Sequence, residues 1–285
     1  MRGIPKEGDA HPLPSHIQFY IEGDLSGINL ESLKGYLQEK TGIPVLGGGN
    51  VYQSLSPDRI EILARKFAGI RIKNPKRPLP KTVFEVEVQY EMDRMRDPGW
   101  QLYGIPYEGA LYQQLIHDLV FEGRLSEEEC TILFTNQLIA TWDPDDWHFH
   151  IRISLYGFPH LISIPGIVSG PARPREYYVK KQKGIPIEWL KEEYKGKFID
   201  HGDPRMTEVL KGYVLQAFMY NLEGDPFCDD PDCRLFNSHW QEEMIHAQLD
   251  GAYEFCPRHE EVLRQVKTGI KGWNLNTSLN GEGAA

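Results

Sequence analysis

Three of the four cysteines in this chain, together with one histidine, stand at Cys228-x4-Cys233-x22-Cys256-x2-His259. Thiolate and imidazole are the ligands Zn²⁺ prefers, and four protein donors leave no open position for water. Two tight pairs, separated by enough chain for one helix, describe a closed tetrahedral site. Any fold adopted here must bring residue 228 close to residue 259. Binding at such a site contributes folding free energy directly, so Cys228, Cys233, Cys256 and His259 are expected to hold one structural zinc. The fourth cysteine, Cys130, lies in the apolar run CTILFTNQLI (130–139) and is expected to pack as a small hydrophobe.

Reading the cluster as a metal site depends on compartment. No apolar run approaches the roughly 20 residues that span a bilayer, and the first residues, MRGIPKEGDAHPLP, lack the apolar stretch of a signal peptide. The expectation is a cytoplasmic protein without a membrane partner, whose thiols stay reduced and available to metal. The formal net charge is −10. A non-specific nucleic-acid binder is usually basic, so no nucleic-acid partner is expected.

Periodicity then places the cluster in an α/β frame. Alternation in 16–24 and in 82–92 predicts strands, as does the apolar run 130–139. The runs 148–156 and 160–169 read as a hairpin around Gly157-Phe158-Pro159. Leucines at helical spacing predict a helix over 29–42 that stops at Thr41-Gly42. Ser56 followed by Pro57 opens a helix with Ile60, Leu63, Ala64 and Phe67 on one face. Further helices are expected at 107–123, 187–198 and 205–224, the last ending at Gly224. The run Gly47-Gly48-Gly49 lacks the lysine and hydroxyl of a phosphate loop and reads as a turn. The expected architecture is one domain over 15–273, built on one mixed sheet. The zinc region occupies 205–265, and polar tails cover 1–14 and 274–285.

The C-terminal layout resembles the archaemetzincins, zinc metallopeptidases with a helix carrying HExxHxxGxxH. In that pattern a cysteine directly follows the third histidine and a second stands after four residues; a helix and a closing CxxC come next. FCDDPDC (227–233), NSHWQEEM (237–244) and EFCPRH (254–259) match the later part, with His259 in place of the closing cysteine. The resemblance implies a metzincin-like fold, a zinc-stapled C-terminal segment, a cytoplasmic zinc protein and a peptide or protein substrate. The helix that should carry the motif reads KGYVLQAFMYNLEGDPFC (211–228) and contains no histidine. Allowing a one-residue shift, Gln216 and Ala217 stand for the first histidine and its glutamate, Tyr220 for the second and Phe227 for the third. A zincin needs two imidazoles one helical turn apart and a carboxylate to take the proton from bound water. The structural-zinc positions carry over and the catalytic ones do not.

Other groups are candidates for chemistry. On a helix over 238–248, His239, Glu243 and His246 would fall within about 40° of one another and could hold a second, open metal, with Glu242 nearby as base; an ordinary amphipathic helix with a solvated polar face is the favoured reading. His148 and His150 share a strand face, and His160 could lie across from them. Arg173, Arg175, Tyr177 and Tyr178, in a proline-stiffened loop, could grip a carboxylate or phosphate. No activated serine, threonine or cysteine nucleophile stands out. Two functions follow: a metallopeptidase relative whose active site is degenerate or moved, or a non-catalytic pseudoenzyme that keeps a peptide-binding groove.

Overall fold

The computed structural model describes residues 13–79, 82–97, 99–100, 104–126 and 128–269. The tails expected at 1–14 and 274–285 lie outside it, apart from Leu13 and Pro14. The chain is α/β, with two sheets instead of one. Strands β1 (His16–Glu22), β2 (Val45–Asn50), β4 (Glu129–Thr135), β7 (Ser154–Leu155) and β8 (His160–Ser163) form a five-stranded sheet in the order β2-β1-β4-β8-β7. Its first four strands are parallel, and β7 pairs antiparallel at the edge. Strands β3 (Pro106–Glu108), β5 (Leu138–Asp143) and β6 (His148–Arg152) form a smaller one.

Alternation along the parallel strands supplies two cores. Ile17, Phe19, Ile132 and Phe134 face one layer, which holds α1 (Leu30–Thr41), α8 (Met206–Glu223) and α10 (Pro257–Thr268). Leu133 and Leu161 face the other, packed by α2 (Pro57–Gly69), α3 (Glu85–Arg96) and α4 (Gly109–Leu115). A strand buried on both faces reads as a continuous apolar run, as 130–135 does. Cys130 is fully buried there, and burial pushes its thiol up. Ser56 and Pro57 open α2, and Gly42 and Gly224 close α1 and α8 in the left-handed conformation.

Several segments depart from expectation. Residues 85–96 are helical, not a strand. The buried stripe of α3 runs through Val88, Glu91, Arg94 and Met95, so two of its four core-facing positions are charged and the apolar period is hidden. Glu91 accepts from Arg71 (2.6 Å), Arg94 (2.8 Å) and Tyr107 (2.7 Å). Glu22, at the end of β1, accepts from Arg94, Tyr112 and Tyr52, the last at 2.7 Å. These side chains are buried. The triple glycine is part of β2 instead of a turn: a Cβ on Gly48 would lie 2.4 Å from the Tyr20 ring. The run 130–139 breaks at Asn136-Gln137 and changes sheets. The helix expected over 107–123 follows the short strand β3, is capped by Glu108 and continues beyond Leu115 as a π-helical turn. Residues 164–169 form the short helix α5 (Ile164–Ser169), not strand. The loop 170–178 gives way to α6 (Arg175–Gln182), followed by α7 (Ile187–Glu193).

Candidate metal centre and cleft

Helix α8 sets the geometry of the C-terminal third. Thirteen of its 18 residues are buried, so its end is fixed against the sheet. Cys228 follows four residues after its Gly224 cap. The next segment folds back as Cys228 donates its backbone N–H to Leu235 (3.0 Å), and Cys233 to Asp230 (3.0 Å). Cys256 caps α10 and His259 sits in its first turn. The four donor atoms lie within 4.8 Å of one another. Cys228 Sγ to Cys256 Sγ is 3.8 Å, Cys233 Sγ to His259 Nδ1 is 3.6 Å, and Cys256 Sγ to the same nitrogen is 3.2 Å. With Zn–S near 2.3 Å and Zn–N near 2.0–2.1 Å, tetrahedral edges come to about 3.8 Å for S···S and about 3.5 Å for S···N. Two of the three separations match, so these residues fit a zinc ion.

The electrostatics fit as well. Burial and the neighbouring sulfurs push the Cys228 thiol up to about 12, against the lowering effect of the Asp230 N–H. Burial also raises Cys233 and lowers His259 to about 4. A crowded set of donors that resists ionising is stabilised in its ligating form by a divalent cation. The N-terminal end of α10, at Cys256, favours the anionic sulfur further.

The other candidates meet different ends. Helix α9 (Gln241–Ile245) starts after His239, so His239, Glu243 and His246 do not share a helical face. The Glu243 carboxylate accepts the backbone N–H groups of His239 (2.8 Å) and Trp240 (3.1 Å), capping the helix. His246 pairs with Asp232 at 2.8 Å. His148 and His150 are neighbours, ring centroids 5.2 Å apart, but His160 lies elsewhere, buried on β8. Arg173 donates to the Tyr177 hydroxyl (2.8 Å) and covers the Phe198 ring; Tyr178 accepts from the Arg173 backbone. That pair is spent on internal packing, and Arg175 is left exposed on α6. Among the described residues a second metal-competent group, Asp143, Asp146 and His150, converges in the β5–β6 turn. It is an exposed turn in which Asp143 accepts the N–H groups of Asp145 and Asp146. The sequence signal, DPDDWHFH, reads as turn chemistry.

A cleft of about 330 Å³ opens beside α8. Ile151, Ile153 and Ser154 line it from the strand side, together with Gln216 of α8, Phe227 and His239. Gln216 accepts from the Tyr156 hydroxyl at 2.7 Å and donates to the carbonyls of Leu235 and Phe236. Tyr156 packs on Tyr220, Phe227 and His160, ring centroids 5.8, 6.0 and 6.1 Å apart. An amide tie and an aromatic cluster thus occupy the ground between helix and strand. The buried His160 is the one imidazole in this cluster; the second imidazole and the carboxylate that a hydrolytic zinc requires are not among the side chains α8 turns toward it, so these residues do not fit a catalytic metal.

The chain matches the model of the "Probable metallopeptidase family (DUF6775)" over residues 13–266 and belongs to that family. No curated protein matches it. Among solved structures it is similar to an archaemetzincin from Methanopyrus kandleri, 12% identical, covering 90% of this chain and 98% of that one at a TM-score of 0.42. It is also similar to a zinc-dependent peptidase from Methanocorpusculum labreanum, 16% identical, covering 87% and 98% at a TM-score of 0.39.

His160 makes the aromatic cluster pH-sensitive. Its ring is 1% exposed, and burial lowers its pKa to about 4 from 6.5. Between those values the unfolded chain binds a proton that the folded one refuses, so stability falls as pH drops from 6.5 to 4 and is unaffected above. One pH unit in this window is worth about 1.4 kcal/mol. Urea unfolding at pH 7 and pH 5 is expected to show His160→Gln losing about 1–2 kcal/mol less than wild type. Equal losses would mean the imidazole is not buried neutral.

Proposed function

We propose that this member of the metallopeptidase family is a non-catalytic protein, stapled by one structural zinc, whose cleft binds an extended peptide segment. The observation that carries this is the identity of the side chains between α8 and the edge strand. Gln216, Tyr220 and Phe227 sit where the resemblance calls for imidazole ligands, and they bond to or pack on Tyr156. The zinc reading rests on the closed set of four donors, which leaves no coordination position for water or substrate. A relocated hydrolytic centre at His239, Glu243 and His246 has no support in the geometry, because Glu243 caps a helix and His246 faces Asp232.

The peptide reading rests on the sheet edge. β7 has no outer strand partner among the described residues, and an extended segment can add to such an edge through main-chain hydrogen bonds. Denatured casein serves as a generic extended ligand. It is expected to slow amide exchange at residues 150–155 and to remain uncleaved with zinc in excess. Zinc-dependent cleavage that disappears in Gln216→Ala would overturn the non-catalytic reading; unchanged exchange would overturn the peptide-binding one.

A further inference from the structure

The excursion between Pro174 and Phe198 carries a small core of its own, Tyr177, Leu190, Tyr194 and Phe198. From the end of α6 to the first turn of α7 the chain runs Lys181-Gln182-Lys183-Gly184-Ile185-Pro186-Ile187-Glu188-Trp189, and all nine residues are exposed. Trp189 is 69% exposed, Ile187 45% and Ile185 36%. Single exposed apolar side chains are ordinary, but three within five residues at the tip of a helical hairpin form a patch. From Arg173 to Lys197 there are eight Lys or Arg and four Glu, in a chain whose net charge is −10. Lys180 is paired with Glu193, Lys191 with Asp200 and Lys195 with Glu192. Lys181 and Lys183, just before the apolar residues, have no carboxylate partner among the described residues, and Glu188, between Ile187 and Trp189, is the single acidic side chain of the tip.

We propose that this tip docks on an anionic lipid surface, with Trp189, Ile187 and Ile185 entering the headgroup boundary and Lys181 and Lys183 meeting the lipid anions. Tryptophan and aliphatic side chains beside lysine are what such a boundary accepts, and interfacial docking needs no spanning segment. The expectation of no membrane partner, drawn from the lack of a spanning run, does not bear on it. Charge favours this occupant. A basic tip meeting the same tip of a second copy would be repelled, and the acidic remainder of the chain would be held off an anionic surface, leaving the tip as the point of approach. Size agrees: stable protein interfaces use about 20–30 residues a side, whereas this convex tip offers a handful.

The test is co-sedimentation of the full chain with vesicles of phosphatidylserine and phosphatidylcholine in equal parts, against phosphatidylcholine alone. Binding to the anionic vesicles alone is expected, weakening with added salt. It is expected to fall about tenfold or more in the double variant Ile187→Asp with Trp189→Asp, and likewise in Lys181→Glu with Lys183→Glu. Thermal midpoints should stay at the wild-type value, because these side chains are exposed. Failure to bind anionic vesicles, or variants that bind as wild type does, would overturn the proposal. Self-association abolished by the same variants, without vesicle binding, would assign the tip to a second copy instead.

Discussion

Cys233→Ser is expected to abolish zinc binding and unfold the segment that joins α8 to α10. The four donors tie the end of α8 to the start of α10 across a segment with little other regular structure. Apparent binding free energies for such sites are about 10–16 kcal/mol at neutral pH, as large as the whole stability of a typical domain at about 5–15 kcal/mol. A serine hydroxyl does not replace a thiolate as a soft donor, and Cys233 is fully buried, so the remaining sulfur ligands would be left crowded around an incomplete site. Far-ultraviolet circular dichroism and proteolysis should show loss of helix and cleavage between residues 224 and 256. A strong chelator should do the same to wild type. A Cys233→Ser protein that melts where wild type does would mean the cluster contributes nothing to the fold.

The second large effect is expected at the opposite layer. Arg94 bridges Glu22 and Glu91, and all three are buried. Desolvation works against charge here, yet two carboxylates within reach hold the Arg94 guanidinium well above its usual range. Three tyrosines donate to the same two carboxylates, so each anion is saturated with donors. Arg94→Met removes the shared cation and leaves two buried anions with Arg71 alone. Removing one partner of a buried ion pair costs about 3–5 kcal/mol, mostly for the charge left behind. Urea denaturation should register a loss of that size. The same loss should shrink markedly when Glu22→Gln is added, because one stranded anion then disappears. A loss below about 1 kcal/mol would contradict a closed ion network in this layer.

The parts of this architecture that were legible in the sequence are those fixed by local chemistry. Cysteine and histidine spacing marked the two ligand pairs because the members of each stand within a few residues of one another. The Ser56-Pro57 cap, the Gly42 and Gly224 stops and the apolar run around Cys130 likewise act within a few residues. What escaped depends on partners distant in the chain. The segment 85–96 alternates like a strand, and its helical face is recognised only when Arg71, Tyr107 and Glu22 are present to neutralise Glu91 and Arg94. Gly47-Gly48-Gly49 looks like a turn until Tyr20 on the neighbouring strand claims the space a side chain would need. His239, Glu243 and His246 keep helical spacing on paper. There was a local signal against them: a glutamate three residues after Trp240 can reach back to cap a helix, and the helix then starts at Gln241, two residues beyond His239.

The absence of histidine from α8 is plain in the sequence; what fills its place is not. The bond from Tyr156 to Gln216 joins residues 60 apart in the chain, and the packing of Tyr156 on Tyr220 and Phe227 is equally non-local. That cluster is what the proposed binding role rests on, as the four clustered donors are for the proposed structural zinc.

Metal stoichiometry of the purified full chain, measured by inductively coupled plasma mass spectrometry after exchange into metal-free buffer, tests this account most directly. One zinc per chain is expected, with none in Cys233→Ser. Two metals per chain, or a metal retained after that substitution, would place a second centre outside the cysteine cluster and contradict it.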